Sequence, residues 1–193
     1  MSSTANFRVT YDGPALQEST MDVRELAPAL LALGDLMEAA SMALYGSKVK
    51  ATVEVKASFR TGCFGIDLVL LQSWVNKVVD IFSGKEMSAF ANAGALLAAL
   101  GFVGHNAHKG LVAVLKWLRG RPISTVETRE DGARILTEDG DMLEVELAVL
   151  ALLRDRTVRE ELLRAMAPLD RIGITTVAFG TDAEIFDTVD VGS

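Results

Sequence analysis

The stretch Met87–His108, MSAFANAGALLAALGFVGHNAH, runs for 22 residues without an Asp, Glu, Lys or Arg. Lys85 and Glu86 precede it and Lys109 follows it. A bilayer core about 30 Å thick needs roughly 20 helical residues to cross, so by length the stretch qualifies as a span. Its composition pulls the other way: Asn92, His105, Asn106 and His108 are polar, and Gly94, Gly101 and Gly104 weaken a helix. Ala91, Ala95 and Ala99 fall four apart, as do Gly94 and Ala98, which puts small side chains on one face where a second helix can approach. Two readings follow. The stretch enters a membrane, or it is a buried helix ending near Gly104, followed by a short turn and a second helix.

On both sides of the stretch the chain reads as an α+β protein: small antiparallel sheets with amphipathic helices and a central apolar helical hairpin segment. Phe7–Tyr11 alternates like a half-buried strand. Asp22 followed by Glu25 resembles a capping box. Leu26, Leu30, Leu33, Met37, Ala40 and Leu44 then keep helical spacing up to about Tyr45, where Gly46 is a natural stop. Val49–Phe59 and Phe64–Leu70 alternate as two strands around Arg60-Thr61-Gly62, which predicts a hairpin, with Gly65 marking a bulge or a close approach. Gln72–Phe82 is expected to be a helix leading into the stretch. After it, Gly110–Leu118 reads as a short helix stopped by Pro122.

From Ile123 the texture changes. Ser124–Thr128, Ala133–Thr137 and Met142–Leu147 are separated by Asp131-Gly132 and Asp139-Gly140, strong hairpin signals that predict a three-stranded meander. Ala148–Arg154 reads as helical. Thr157 with Glu160 predicts the cap of a further helix, Ile174–Phe179 a last strand, and Gly180–Ser193 an acidic end that is loose or trimmed. Three parts result: an N-terminal α+β part over 1–83, the apolar helical segment over 84–121, and an acidic α+β part over 122–193.

The 193 residues are half hydrophobic, with a mean hydropathy of +0.28 and a net charge of −7. The charge is unevenly spread. Residues 1–121 carry 12 basic and 10 acidic side chains, whereas residues 122–193 carry 7 and 16. Lys109, Lys116, Arg119 and Arg121 cluster just after the apolar stretch. They suit anionic headgroups on the cytoplasmic side of a membrane, or the phosphates of a nucleotide or oligonucleotide, or simply a solvated helix end. Trp117 among them matches a membrane-interface set, although packing in a core is the more frequent fate of a lone Trp. If the stretch lines a pore, Asn92, His105 and Asn106 are the candidates to face it. An inner-membrane location with cytoplasmic folded parts goes with this reading, and a cytoplasmic location with the other.

Catalytic patterns are missing. There is no phosphate-binding glycine loop, and His105 and His108 lack the further ligands a metal needs. Cys63 is the one cysteine and has no sequence partner to activate it. The expectation is a non-enzyme that needs no cofactor. The amino-terminal residues have no apolar signal region and are expected to stay in the cytoplasm.

Three runs carry a resemblance: Val55–Leu71 (VKASFRTGCFGIDLVLL), Gly110–Pro122 (GLVAVLKWLRGRP) and Val158–Ile174 (VREELLRAMAPLDRIGI). Their layout is similar to that of the membrane-channel effectors of the Hailong phage-defence system, over most of residues 20–180. The resemblance implies a homo-oligomeric ion channel in contact with membrane lipid. It also implies control by an oligonucleotide ligand made by a nucleotidyltransferase partner, and a chain that continues past Ser193 into a ligand domain. No catalytic motif makes it specific.

Overall fold

A computed structural model describes residues 2–16, 18, 20–56, 64–74, 92–104 and 109–192. Among the described residues, eight strands and five helices form two antiparallel sheets and one helical layer. The strands are β1 (Ser2–Asp12), β2 (Val49–Lys56), β3 (Phe64–Trp74), β4 (Ile123–Thr128), β5 (Ala133–Thr137), β6 (Met142–Val145), β7 (Thr176–Gly180) and β8 (Ile185–Asp190). The helices are α1 (Val23–Tyr45), α2 (Ala93–Leu100), α3 (Leu111–Leu118), α4 (Leu147–Arg154) and α5 (Arg156–Ala165). The larger sheet has the order β2-β3-β1-β7-β8 and the smaller β4-β5-β6. Both ends of the sequence therefore meet in one sheet, with β1 at its centre.

Alternation decides which face of the large sheet is covered. Phe7, Val9 and Tyr11 of β1, Leu68 and Leu70 of β3, and Val177 and Phe179 of β7 are buried under the helices. Thr4, Asn6, Lys50, Thr52 and Glu54 point the other way and are exposed. A sheet with one wet face suits an antiparallel arrangement.

α1 begins at the expected cap residue, the Asp22 carboxylate accepting the Arg24 N–H at 2.8 Å, but Glu25 pairs with Arg171 at 2.6 Å where a capping box was expected. Its apolar face, with Leu33, Leu36 and Met37 fully buried, packs on α5 and β2. The described part of the apolar stretch, 92–104, holds one helix, α2. Eight residues at about 1.5 Å each make roughly 12 Å, under half a bilayer core. α2 ends in a Schellman motif: the Gly101 N–H donates to Ala98 O at 3.0 Å and the Phe102 N–H to Leu97 O at 2.8 Å. Gly101 takes φ 91 there, a conformation open to glycine at little cost. Leu96, Leu97, Leu100 and Phe102 are 0 % exposed. Phe102 stacks on Phe179 of β7, centroids 4.1 Å apart. Gly110 lies so close to Gly101 that a Cβ on it would sit 2.4 Å from that backbone.

Several expectations need correction. Gln72, Ser73 and Trp74 belong to β3, not to a helix; the rest of that proposed helix, and the Arg60-Thr61-Gly62 turn, lie outside the described residues. Gly65 is a close approach and not a bulge: the β1–β3 register runs past it unbroken, and a Cβ there would meet Arg8 Nε at 3.2 Å. The cap of α5 is Asp155, whose carboxylate accepts the Val158 N–H at 3.0 Å, two residues before Thr157. Within the expected loose end, Ile185–Asp190 is ordered as β8, paired with β7.

Candidate functional site

α3 carries the cationic cluster, and the fold separates its members. Lys116 points across to β8. Its Nζ donates to Asp187 Oδ1 at 2.8 Å and to the Thr188 carbonyl at 2.6 Å. The Asp187 side chain is 7 % exposed and Lys116 covers it from solvent. Asp187 also accepts the Thr188 N–H at 2.8 Å. Lys116 is thus spent inside the molecule, neutralising an acid on the edge strand.

Arg121 follows the end of α3 and serves that end. Its Nη2 donates to the Trp117 carbonyl at 2.7 Å, and its Nε at 3.2 Å to the Leu118 carbonyl, which also accepts the Arg121 N–H at 2.8 Å; both carbonyls belong to the last turn, which offers them no intrahelical partner. Its guanidinium also stands 4.9 Å from the Trp117 ring centroid and pairs with Asp141. Arg119 ends α3 with φ 46 and is exposed. Lys109 is exposed at the other end. Neither the Lys109 nor the Arg119 side chain has a hydrogen bond or ion pair among the described residues. Of the four predicted cations, two are therefore committed to acids of the acidic half and two make no such contact among the described residues.

Asn92, proposed to face a pore, is the cap of α2: its Oδ1 accepts the Ala95 N–H at 2.6 Å. The Ala93 N–H donates to Ser3 Oγ of β1 at 2.9 Å, which fastens the start of α2 to the sheet. His105, Asn106 and His108 lie outside the described residues.

A second polar constellation escaped the sequence reading. Arg8 lies on the open face of the sheet, yet it is 8 % exposed. Register explains this: Arg8 stands opposite Asp67 on β3 and opposite Gly180 on β7. Asp67 grips the guanidinium with both oxygens, at 2.7 Å to Nε and 3.0 Å to Nη2, and Asp182 takes Nη1 at 3.1 Å. Lys56 of β2 faces Asp67 in register, so charges of alternating sign cross three strands. Asn6, Lys56, Asp67, Thr181 and Asp182 line an open cleft of ≈ 540 Å³ beside this row. Walls of both signs suit a polar, hydrogen-bonding ligand better than a bare anion. The available signal was an arginine and an aspartate each flanked by apolar residues on neighbouring strands.

Among the described residues, no three His, Cys, Asp or Glu side chains converge to hold a metal ion. Comparison with protein-family models, curated proteins and solved structures found no match to this chain.

Proposed function

We propose that the chain is a soluble, non-catalytic binding or scaffold protein that works as a homo-oligomer, with its apolar helices as protein core. The observation that carries this is α2: its leucines are fully buried against β1, β3 and the other helices, and it ends after eight residues. A polar or anionic ligand has two places to bind, the cleft beside Arg8 and the open cations Lys109 and Arg119.

The membrane-effector reading rests on a different observation. Val23–Lys48, comprising α1 and the turn after it, is 26 residues long and apolar enough to cross a bilayer by length and composition. A core helix passes the same test, and α1 buries one face on the sheet and α5. Under this reading the assembly is a pore with membrane lipid as its partner, gated by an oligonucleotide, as the resemblance implies.

Cell fractionation separates the two. A protein that stays in the supernatant without detergent, forms oligomers and leaves liposomes sealed supports the binding or scaffold reading. Protein that pellets with membranes, needs detergent and makes liposomes leak replaces it with the pore.

A further inference from the structure

We propose that two copies of the chain join through β2, edge to edge and antiparallel, making one continuous ten-stranded sheet. This rests on the homo-oligomeric reading and names its interface. The large sheet ends in β2 on one side and β8 on the other, and unpaired strand edges are templates for another strand. The two ends are finished differently. At β8, the backbone N–H and C=O of Thr188 are both engaged by side chains, those of Asp187 and Lys116. At β2, Val49–Lys56 makes no hydrogen bond among the described residues beyond its ladder with β3. β2 also has eight residues in unbroken register with β3 and contains no proline. Val55, near its end, is an apolar side chain 60 % exposed.

The first seven residues of β2, Val49-Lys50-Ala51-Thr52-Val53-Glu54-Val55, complement themselves about Thr52. With the two-fold axis at Thr52, Lys50 lies opposite the partner's Glu54, and Glu54 opposite the partner's Lys50. Ala51 meets Val53 and Val49 meets Val55, which covers the exposed valine. Every pair lies on one face, so the helical layers of both copies fall on the same side of the joined sheet. Moving the axis to Val53 would set Lys50 against Lys56 within the strands and break both Lys50–Glu54 pairs, whereas the Thr52 axis brings Lys56 only towards the partner's Lys48, which precedes β2.

The test uses the full chain and light scattering after size exclusion. The wild type is expected to be a dimer. Lys50→Glu, which sets two carboxylate pairs face to face, should weaken it about tenfold. The double variant Lys50→Glu/Glu54→Lys restores opposite charges and should recover the dimer, which guards against a mere folding defect. Thr52→Cys in a Cys63→Ser background should cross-link on oxidation, because directly opposed residues lie about 4.5–5.5 Å apart at Cα, within disulfide reach. Lys50→Cys in that background should not. A wild-type monomer overturns this interface together with the homo-oligomeric reading, and leaves the edge to a strand of another protein. An oligomer indifferent to Lys50→Glu and not cross-linked through position 52 overturns the interface alone.

Discussion

Tyr11 illustrates how one side chain ties the two layers. Its ring lies in the core and its hydroxyl donates to the Ala165 carbonyl at 2.9 Å, one of the acceptors left open at the end of α5. Burial pushes this phenol far above its ordinary value of 10.0, and burial also raises Tyr45. Both phenolates are disfavoured in the folded state, whereas the unfolded chain releases these protons near pH 10. Stability from this source is therefore complete below about pH 10 and is lost as pH rises toward the folded values. Tyr11→Phe should cost about 1 kcal/mol at pH 7, for the lost hydrogen bond and the carbonyl left behind. It should also make the alkaline fall shallower, leaving the part due to Tyr45. Urea unfolding between neutral pH and pH 11 measures both, and an unchanged alkaline slope in the variant would refute the assignment.

The elements were legible where local chemistry governs and illegible where a distant group compensates. α1, from its Asp22 cap to Gly46, follows from spacing and capping alone. The three-stranded meander follows from its two Asp-Gly turns. The start of α5 was misplaced by one competing capping signal: Asp155, a stronger cap than Thr157, stands two residues earlier. β8 was unreadable, because Asp187 faces the covered side of the sheet and only Lys116, 71 residues away in sequence, makes that tolerable. The same distance hid the fate of the cationic cluster, which looked uniform in sequence and is half consumed by acids. Lys116→Ala should accordingly cost about 2 kcal/mol, since it strands a buried carboxylate. Lys109→Ala, at an exposed site, should stay within about 0.5 kcal/mol of wild type. Equal losses in chemical denaturation would show that Asp187 does not depend on Lys116. Two glycines offer a parallel contrast. Gly110→Ala forces apart the contact with Gly101 that joins α2 to α3, and should cost about 2 kcal/mol. Gly34→Ala has open space around it in the middle of α1 and should gain about 0.5–1 kcal/mol. Thermal unfolding of the two variants should move in opposite directions, and a loss in both would count against the helical packing described.

At the scale of the whole molecule the apolar stretch changes meaning. Read alone, 22 uncharged residues invite a bilayer. In the fold, their described helix is a short rod at the junction of both ends of the chain, capped by Asn92, fastened to Ser3 and followed by Phe102 stacked on Phe179. The sequence could not choose between these environments, because lipid and protein core demand the same uncharged surface; the choice depends on what lies around the helix. Leu97→Arg tests it. Leu97 is 0 % exposed, and an unpaired charge in a packed interior costs several kcal/mol, comparable to the total stability of a small domain. If α2 is core, the variant should be unfolded or aggregated at 25 °C, with no cooperative transition by circular dichroism. If the apolar stretch acts in lipid, the sheet and remaining helices should fold normally and only membrane activity should be lost. A variant that unfolds cooperatively within about 1 kcal/mol of wild type would remove the burial of Leu97 as the ground for the binding or scaffold reading.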